Sequence, residues 1–199
     1  MGSEMCIRDR LNATLGFKAS PVNGLWFNVF GGYRISKDEL FCNLVDADGY
    51  YFTHFLQDKA KTAYGGAELK YGYKDWFDAS LKGTFYSWKT DNENEELYLV
   101  TKPKFELNFY AEAKVFEGLK VNLGYEYVQR KEYVIEEGNS SKDFGLGNIS
   151  NLSVGASYTF LKDLSVFGRV NNLLNKQYYY EYGYPAEKLN VLAGLSLAF

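Results

Sequence analysis

A period of two in hydropathy runs through most of this chain of 199 residues, and it limits the possible folds more than any other feature. The clearest stretch covers residues 104–115, where apolar and polar side chains alternate without a break. Its apolar positions are Phe105, Leu107, Phe109, Ala111, Ala113 and Val115, and its polar positions are Lys104, Glu106, Asn108, Tyr110, Glu112 and Lys114. A helix would spread these charges around its circumference, whereas a strand puts them all on one face. The stretch is therefore predicted to be a β-strand.

The same alternation occurs nine times. It predicts strands at about 11–20, 25–35, 60–73, 77–88, 105–115, 119–130, 150–160, 164–173 and 189–199. Short turns at 23–24, 74–76, 117–118 and 162–163 alternate with long polar connections at about 36–58, 91–102, 136–149 and 174–188. Strands of about 10–13 residues are longer than the usual 5–6 and match the roughly 9–11 that cross an outer membrane. We predict an all-β chain, an antiparallel up-and-down transmembrane β-barrel of about nine strands.

The polar face of these strands carries nearly all of their charges, and the opposite face is apolar and aromatic. A membrane barrel turns its apolar face to lipid, whereas a soluble sandwich or barrel turns it inward, so periodicity alone allows both. Aromatic residues near the strand ends favour lipid, because such residues form girdles at membrane interfaces. These residues are Tyr71, Tyr73, Trp76, Phe77, Tyr125 and Tyr127.

The composition argues against an enzyme and against a nucleic-acid-binding protein. The 22 Lys and Arg and 25 Asp and Glu residues give a net charge of -3, with no basic excess. The two cysteines form no CxxC pair, and no Walker loop or dinucleotide fingerprint occurs. An outer-membrane hydrolase would have only His54, beside Thr53, as a histidine base, and no partner pattern is recognisable. We expect no catalytic residues and no cofactor.

Two acidic stretches could in principle bind calcium, which takes clustered oxygen ligands. They are residues 91–96, with the sequence DNENEE, and the segment from Asp46 to Gly49. The first fits no loop motif, and the second lacks the closing Glu. We predict no metal site.

Residues 1–10, MGSEMCIRDR, do not continue the alternation and contain no apolar stretch typical of a signal peptide. We interpret them as a non-native or disordered leader. The predicted barrel region is residues 11–199.

The last fifty residues carry a family pattern. The penultimate strand ends in Val170, Asn172, Leu173, Asn175, Lys176 and Tyr178, and a loop with aromatic residues and Pro185 follows. The final strand alternates and ends in Phe199, and residues 64–69 read YGGAEL. These segments resemble the C-terminal β-barrel portion of a TonB-dependent outer-membrane receptor. Glu187-Lys188 is a departure, because the family commonly has Gly-Arg there.

The resemblance implies a larger protein, because such receptors have about 22 strands and an internal plug. Nine strands without a plug would then form a partial barrel. Strands one and nine are expected to pair with barrel strands outside this chain, since open edges are not tolerated in lipid. The implied location is the bacterial outer membrane. The implied partners are the lipid bilayer, the missing strands and plug, TonB through the absent region, and the barrel-assembly machinery, which would read Leu195, Leu197 and Phe199.

The implied function is energised import of a large scarce nutrient: an iron chelate, a cobalamin or a glycan. Ligand contacts would come from the extracellular loops, where the candidates are Phe41, Tyr50, Tyr51, His54, Tyr98, Tyr180, Tyr182 and Tyr184. These residues could instead belong to the interface girdle or to self-packed loops. The alternative function is a complete small barrel of eight to ten strands that acts as an adhesin or a structural protein.

Overall fold

The computed structural model describes residues 10–46, 51–90, 95–130, 134–137, 140–143, 146–161, 164–181 and 184–197. Their elements are β1 (Arg10–Val22), β2 (Leu25–Asp46), β3 (Tyr51–Tyr73), β4 (Phe77–Thr90), α1 (Glu95–Val100), β5 (Pro103–Phe116), β6 (Leu119–Arg130), β7 (Val134–Glu137), β8 (Ser140–Asp143), β9 (Ile149–Leu161), β10 (Leu164–Asn171), β11 (Tyr179–Glu181), β12 (Tyr184–Pro185) and β13 (Asn190–Leu197). Nine of these strands form one antiparallel sheet in the order β1-β2-β3-β4-β5-β6-β9-β10-β13. Each sheet strand therefore neighbours the next one in the chain, which confirms the predicted meander.

The nine predicted strands are all present, but the predicted long connection at 36–58 is wrong. Most of it extends β2 and β3 into a hairpin that stays paired as far as Asp46 and Tyr51. The backbone of Asp38 has a φ of 53°, and residues 38 and 58 are skipped in the pairing register. This irregularity interrupts the alternation, which explains why the sequence pattern ends near residue 35.

The other long connections contain small elements of their own. Residues 91–102 include α1, residues 134–143 include the paired strands β7 and β8, and residues 179–185 include the pair β11 and β12. Within the described residues, no helix is long and apolar enough to span a membrane.

The short turns are fixed by backbone contacts. Gly24 and Gly118 have φ values of 82° and 85°, a conformation that glycine adopts without steric cost. The Gly24 carbonyl accepts a hydrogen bond from the Gly72 amide (2.8 Å), and the Gly118 carbonyl accepts one from Thr159 (2.9 Å). A Cβ at Gly118 would lie 2.5 Å from the Thr159 carbonyl oxygen. Each turn is thus tied to a neighbouring strand.

The apolar face of the sheet is exposed, contrary to the arrangement in a soluble sandwich. Leu15 is 84 % exposed and Leu195 is 72 % exposed. The polar face carries the side chains at the alternate strand positions. Among them, Thr62 and Thr84 are buried, with 2 % and 4 % of their surface exposed. We call the apolar side the outer face and the polar side the inner face. The soluble reading is therefore wrong for the described residues, and the apolar-out arrangement of a membrane barrel is confirmed.

Aromatic side chains form two bands on the outer face. The lower band, near the short turns, includes Tyr71, Tyr73, Trp76 and Phe77, whose ring centroids lie 5.6–6.3 Å apart. The upper band connects Phe85, Phe105 and Tyr127, with centroid distances of 4.4 and 6.3 Å. Phe77 and Phe85 are eight residues apart on β4, about 26 Å along the strand and about 20 Å across a bilayer at a tilt of about 40°. This spacing is close to the roughly 25 Å apolar band of outer-membrane barrels.

The sheet has two edges, because β1 and β13 do not pair with each other in the part of the chain that the structure describes. The proposed leader lies outside the described residues except for Arg10, which is the first residue of β1 and pairs with Ser36.

Candidate functional site

A row of polar residues crosses the middle of the inner face, one residue from each of seven neighbouring strands. Cross-strand pairing places them in the order Lys18, Asn28, Glu68, Lys82, Asn108, Glu126 and Asn151. Acidic, basic and amide side chains mix along this row, so that it presents hydrogen-bond donors and acceptors of both charge signs. The row suits a hydrated wall and does not form an apolar pocket.

The inner face curves into a concavity of about 380 Å³ around this row. Its lining includes Glu68, Ser80, Lys82, Asn108, Tyr110, Glu126, Asn151, Ser153 and Arg169. Nearer the short turns, the Lys120 ammonium lies 3.3 Å from the Glu112 carboxylate, and both side chains remain partly exposed. The wall is therefore polar from its centre to its lower end.

Residues 95–102, which we call the α1 cover, lie over the upper inner face. Tyr98 and Val100 in this segment are fully buried. Tyr98 packs on Ala60 of β3 and on Trp88 of β4, with a ring-centroid distance to Trp88 of 6.3 Å. The Trp88 indole nitrogen donates a hydrogen bond to the Pro103 carbonyl (2.7 Å). The cover thus closes over two strands and is held at the start of β5.

An ion pair fastens the α1 cover to β2. The Lys102 ammonium lies 2.8 Å from the Glu39 carboxylate, and the Tyr98 hydroxyl donates to the other Glu39 oxygen at 3.0 Å. The ammonium also lies 4.4 Å from the centroid of the Tyr98 ring, a cation–π geometry. Burial alone would raise the pKa of Glu39, but the hydrogen bond and charge of Lys102 and the bond from Tyr98 together hold it below its ordinary value. Glu39 therefore stays ionised at neutral pH.

Residues 172–181 and 184–189, which we call the C-terminal cover, close over the inner face beside β9. Asn172 is 1 % exposed. Its side-chain amide donates to the carbonyls of Lys176 (2.7 Å) and Glu187 (3.1 Å), and its side-chain oxygen accepts from the Lys176 amide (3.2 Å). Asn172 and Asn175 both have a φ of 50°, which asparagine tolerates better than most residues. One side chain thus joins the beginning and the end of the cover.

Two tyrosines anchor the C-terminal cover to the barrel wall. Tyr178 is buried against Val128 and Ile149. Tyr180 donates its hydroxyl to the Glu126 carboxylate in the central row (2.9 Å). Burial and this hydrogen bond raise the pKa of Tyr180 above its ordinary value. Arg130 at the end of β6 donates to the Tyr179 carbonyl (2.5 Å), so the cover is connected directly to the polar wall.

The inner face also carries an aromatic ladder that sequence reasoning did not single out. The rings of Tyr64 and Tyr86 lie 6.3 Å apart, and those of Tyr86 and Trp88 lie 6.0 Å apart at an interplanar angle of 24°. The Tyr64 ring crosses Gly32, where a Cβ would collide with it, and hydrogen-bonds Thr14 on β1. The available signal was the aromatic residues at inner positions of two adjacent strands.

The predicted ligand residues do not gather at one place. Tyr98 is buried under the α1 cover, Tyr180 bonds Glu126, and Tyr184 is 74 % exposed. The backbones of three other candidates lie on the extended β2–β3 hairpin, where Phe41 pairs with Phe55, His54 with Cys42, and Tyr51 with Asp46. Tyr50 and Tyr182 lie outside the described residues. A ligand role for these residues stays a prediction.

Of the residues predicted to signal barrel assembly, Leu195 and Leu197 are exposed on β13, and Phe199 lies outside the described residues. Their role also stays a prediction. Within the described residues, no group of three or more His, Cys, Asp or Glu side chains is arranged to hold a metal ion. Both predicted acidic stretches fall largely outside those residues.

The architecture defines the class of protein: an antiparallel meander with an apolar exposed face, two aromatic bands and a polar inner face is that of an outer-membrane β-barrel. Solved structures with the same fold include the pyoverdine receptor FpvA of Pseudomonas aeruginosa PAO1 bound to pyoverdine (TM-score 0.71, 15% identity, 96% of this chain and 30% of that chain). A mutant of the ferric enterobactin receptor PfeA of P. aeruginosa matches with a TM-score of 0.66 at 17% identity, over 96% of this chain and 31% of that one. The siderophore receptor PirA of Acinetobacter baumannii matches with a TM-score of 0.66 at 15% identity, over 96% of this chain and 32% of that chain.

These matches give the particular fold, that of part of a siderophore-receptor barrel. The predicted resemblance to TonB-dependent outer-membrane receptors, and the outer-membrane class, are thereby confirmed at the level of fold. The chain spans about 30% of the length of the matched structures. No protein-family model matches the sequence, and no curated protein sequence matches it. The structural neighbours are receptors and not enzymes.

Proposed function

We propose that this chain forms part of the barrel wall of a bacterial outer-membrane receptor that imports an iron–siderophore chelate. The observation that carries this proposal is the match of almost the whole chain to siderophore receptors. The apolar face of bilayer height and the charged inner face support it, because a transport wall needs lipid on one side and water on the other. An iron chelate is preferred to a cobalamin or a glycan, since each of the neighbours named above is a receptor for siderophores.

The rest of the proposed mechanism follows from the roles of the two faces. The central polar row lines a hydrated path, and the two covers narrow its upper end. The aromatic candidates Tyr180 and Tyr184, with the hairpin residues Phe41, Tyr51 and His54, are proposed to meet the ligand from the extracellular side. The chain itself needs no catalytic residue and no resident cofactor for this role.

The proposed partners complete the barrel. Strands from the rest of the protein pair with β1 and β13, because unpaired backbone groups are costly in lipid. A plug and a TonB-contact region supply gating and energy. The barrel-assembly machinery recognises the last strand through Leu195, Leu197 and Phe199.

The proposal is tested with the complete reading frame that contains this chain, expressed in a host that lacks its own siderophore receptors. Uptake of ⁵⁵Fe is measured with catecholate, hydroxamate and mixed chelates, in the presence and absence of TonB. We expect saturable uptake of at least one chelate, and its loss without TonB. As a matched pair, Leu81→Arg on the outer face should reduce insertion into the membrane, whereas Asn108→Arg on the inner face should not.

Insertion without uptake of any iron chelate would contradict the proposal. Binding of the expressing cells to a surface would then favour the alternative, a small complete barrel that acts as an adhesin or a structural protein. That alternative requires β1 to pair with β13, and the described sheet leaves both strands as edges.

A further inference from the structure

The only histidine of the chain and the only cysteine of the barrel region occupy directly opposite positions in the sheet. The histidine is His54, and of the two cysteines Cys6 belongs to the proposed leader and Cys42 to the barrel region. In the extended β2–β3 hairpin, Cys42 pairs with His54. Thiolate and imidazole are the side-chain groups that soft and borderline transition-metal ions prefer. The strand register therefore brings together the two residues of the barrel region that are best suited to bind such an ion.

The spacing of a directly opposed pair suits one shared metal ion. The pairs on either side, Phe41 with Phe55 and Asn43 with Thr53, keep the same register, so the ladder is regular at this position. Opposite residues of an antiparallel pair have Cβ atoms about 4.5–5.5 Å apart. Typical bond lengths to sulfur and nitrogen put the two donor atoms of one zinc ion about 3.6–4.4 Å apart. A cysteine and a histidine in this register can therefore bind one ion without a shift of the strands.

The pair lies on the face of the hairpin that is turned away from the α1 cover. Glu39 accepts a hydrogen bond from Tyr98 and forms an ion pair with Lys102, so these contacts identify the face next to the cover. Cys42 is three residues further along β2, and strand alternation places it on the other face. The position of the proposed ion is therefore separate from the contacts of the α1 cover.

The neighbouring pairs on the same face are apolar. They are Leu40 with Leu56 on one side and Leu44 with Phe52 on the other. Hard cations such as Ca²⁺ and Mg²⁺ need several oxygen ligands, which these four side chains do not supply. A thiolate and an imidazole between two apolar pairs of the ladder instead favour a soft ion such as Cu⁺ or a borderline one such as Zn²⁺.

The hairpin holds the two residues in register before any ion binds. β2 and β3 stay paired as far as Asp46 and Tyr51, beyond the position of the pair. Below it, the ion pair of 2.8 Å between Lys102 and Glu39 attaches the hairpin to the α1 cover. Ligands that are already placed side by side lose less freedom when they bind. The backbone thus reduces the cost of forming the site.

We propose that Cys42 and His54 form a binding site for a soft or borderline transition-metal ion, of the class of Cu⁺ or Zn²⁺, on the β2–β3 hairpin. Cys42 binds as the thiolate and releases its proton to the solvent, and His54 binds as the neutral imidazole. The site goes beyond the proposed function, because it binds an ion without a siderophore. It also revises the prediction of no metal site, which considered oxygen ligands in the acidic stretches.

The test uses the purified product of the complete reading frame in detergent, titrated with Zn²⁺ and, without oxygen, with Cu⁺. Cys42→Ser and His54→Ala should each lower the affinity of one site per chain at least about tenfold, since even the loss of a residue that supports a ligand costs about 10–100-fold. Ca²⁺ should not compete. Thr53→Ala, at the adjacent position on the other face, is the matched control and should change the affinity less than about twofold.

Exchanges of neighbouring residues test the register at constant composition. Cys42→Asn together with Asn43→Cys moves the thiol to the position opposite Thr53, on the other face, and should lower the affinity as much as Cys42→Ser does. Thr53→His and His54→Thr in the same protein place an imidazole opposite the thiol again. This second exchange should raise the affinity at least about tenfold above that of the first.

Thiol labelling of the unchanged protein in whole cells gives a second measurement that needs no variant to fold. Zn²⁺ should slow the alkylation of Cys42 at least about tenfold, as measured by mass spectrometry of the peptide that contains it. Ca²⁺ at the same concentration should not slow it. Equal rates with and without Zn²⁺ would contradict the site.

The metal site is also disproved if Cys42→Ser and His54→Ala bind both ions as tightly as the unchanged protein, or if the first exchange has no effect. These results are separable from the uptake assay. Binding of Zn²⁺ or Cu⁺ without uptake of any iron chelate would contradict the proposed function and keep the metal site. Uptake of an iron chelate without binding of either ion would do the reverse.

Discussion

The α1 cover and the C-terminal cover close the same end of the barrel by different physical means. The α1 cover is held by side chains: an ion pair between Lys102 and Glu39 and the packing of Tyr98 on Trp88. The C-terminal cover is held together by bonds between Asn172 and backbone groups, and it is anchored to the wall by Tyr178 and Tyr180. Charge and ring contacts can be replaced by a ligand with similar groups, whereas the bonds of Asn172 depend on the local chain path. We infer that the first cover can open and that the second is fixed.

The largest expected effect comes from breaking the fixed cover. Asn172→Asp replaces an amide that donates to two carbonyls by a carboxylate that repels them, and it should lower the free energy of unfolding by about 3 kcal/mol. Asn172→Gly keeps the backbone conformation but loses the side-chain bonds, and it should cost about 2 kcal/mol. Urea unfolding in detergent measures both.

Asn108→Asp is the matched control, because Asn108 is exposed on the wet inner face. It should change the stability by less than about 0.5 kcal/mol. Equal effects at the two asparagines would show that Asn172 has no special role in joining the cover.

Breaking the ion pair should have a smaller effect, confined to the α1 cover. The side chains of Lys102 and Glu39 are 19% and 16% exposed, so that removal of one leaves the other largely buried. Lys102→Met should destabilise the closed cover by about 2 kcal/mol, less than for a fully buried pair. Hydrogen exchange at the amides of 98–102 should accelerate, while that of 173–176 should not.

The pair between Lys70 and Glu68 (2.9 Å) supplies the control, because the Lys70 side chain is 55% exposed, whereas that of Lys102 is 19% exposed. Lys70→Met should change exchange at neither cover, since a pair with an exposed partner contributes about 0–1 kcal/mol. If Lys102→Met accelerated exchange equally in both covers, their proposed independence would be wrong.

Acidification should destabilise the α1 cover and not the bonds of Asn172, so it distinguishes the two covers without a mutation. The pKa of Glu39 in the folded protein lies below its ordinary value of 4.5. The contribution of Glu39 to the stability of the α1 cover is therefore fully present above about pH 4.5. It is lost as the pH falls through the lower pKa that Glu39 has in the folded protein. The side-chain bonds of Asn172 contain no titrating group. Below pH 4.5 we expect the α1 cover to open first, reported by Trp88 fluorescence in a protein with Trp26 and Trp76 changed to Phe.

Glu39→Gln removes this titrating group and should abolish the Trp88 transition in that pH range. Persistence of the same transition in the Gln variant would assign it to another group.

The smallest effect is expected at the contact between the C-terminal cover and the central row. Tyr180→Phe removes the bond to Glu126, and since Tyr180 is half exposed the cost should be about 0.5–1 kcal/mol. Tyr184→Phe, at a side chain that is 74 % exposed, should cost nothing measurable. Urea unfolding of the two variants, side by side, shows whether the cover depends on Tyr180.

The positions of the strands were predicted correctly from the sequence, whereas the connection at 36–58 was not, and the difference has a physical reason. In β5, every residue from Lys104 to Val115 faces either lipid or water, so its hydropathy reports its face directly. In the hairpin beyond residue 36, Asp38 has a left-handed backbone and residues 38 and 58 do not pair, although the register is the same on both sides, and the alternation no longer reports the strand. The predicted connection at 36–58 was wrong because of this irregularity.

The candidate site shows the same limit. The sequence indicated that aromatic residues in the long loops could contact a ligand, and it named Tyr98 and Tyr180 among them. It did not indicate that Tyr98 would be buried on Trp88, or that Tyr64, Tyr86 and Trp88 would form a ladder on the inner face. Those contacts depend on which inner positions stand side by side across strands, and hydropathy does not record register.

The sequence by itself therefore determined the nine strands of the main sheet, their antiparallel order and the division of each strand into an apolar and a polar face. Each of these follows from a local period that a chain in a bilayer must keep along every strand. Only the tertiary structure decided which distant residues meet, such as Glu39 with Tyr98 and Lys102, or Asn172 with the carbonyl of Glu187. Such pairs lie far apart in the chain or across an irregular loop. Their meeting depends on register and on backbone path, which no local pattern encodes.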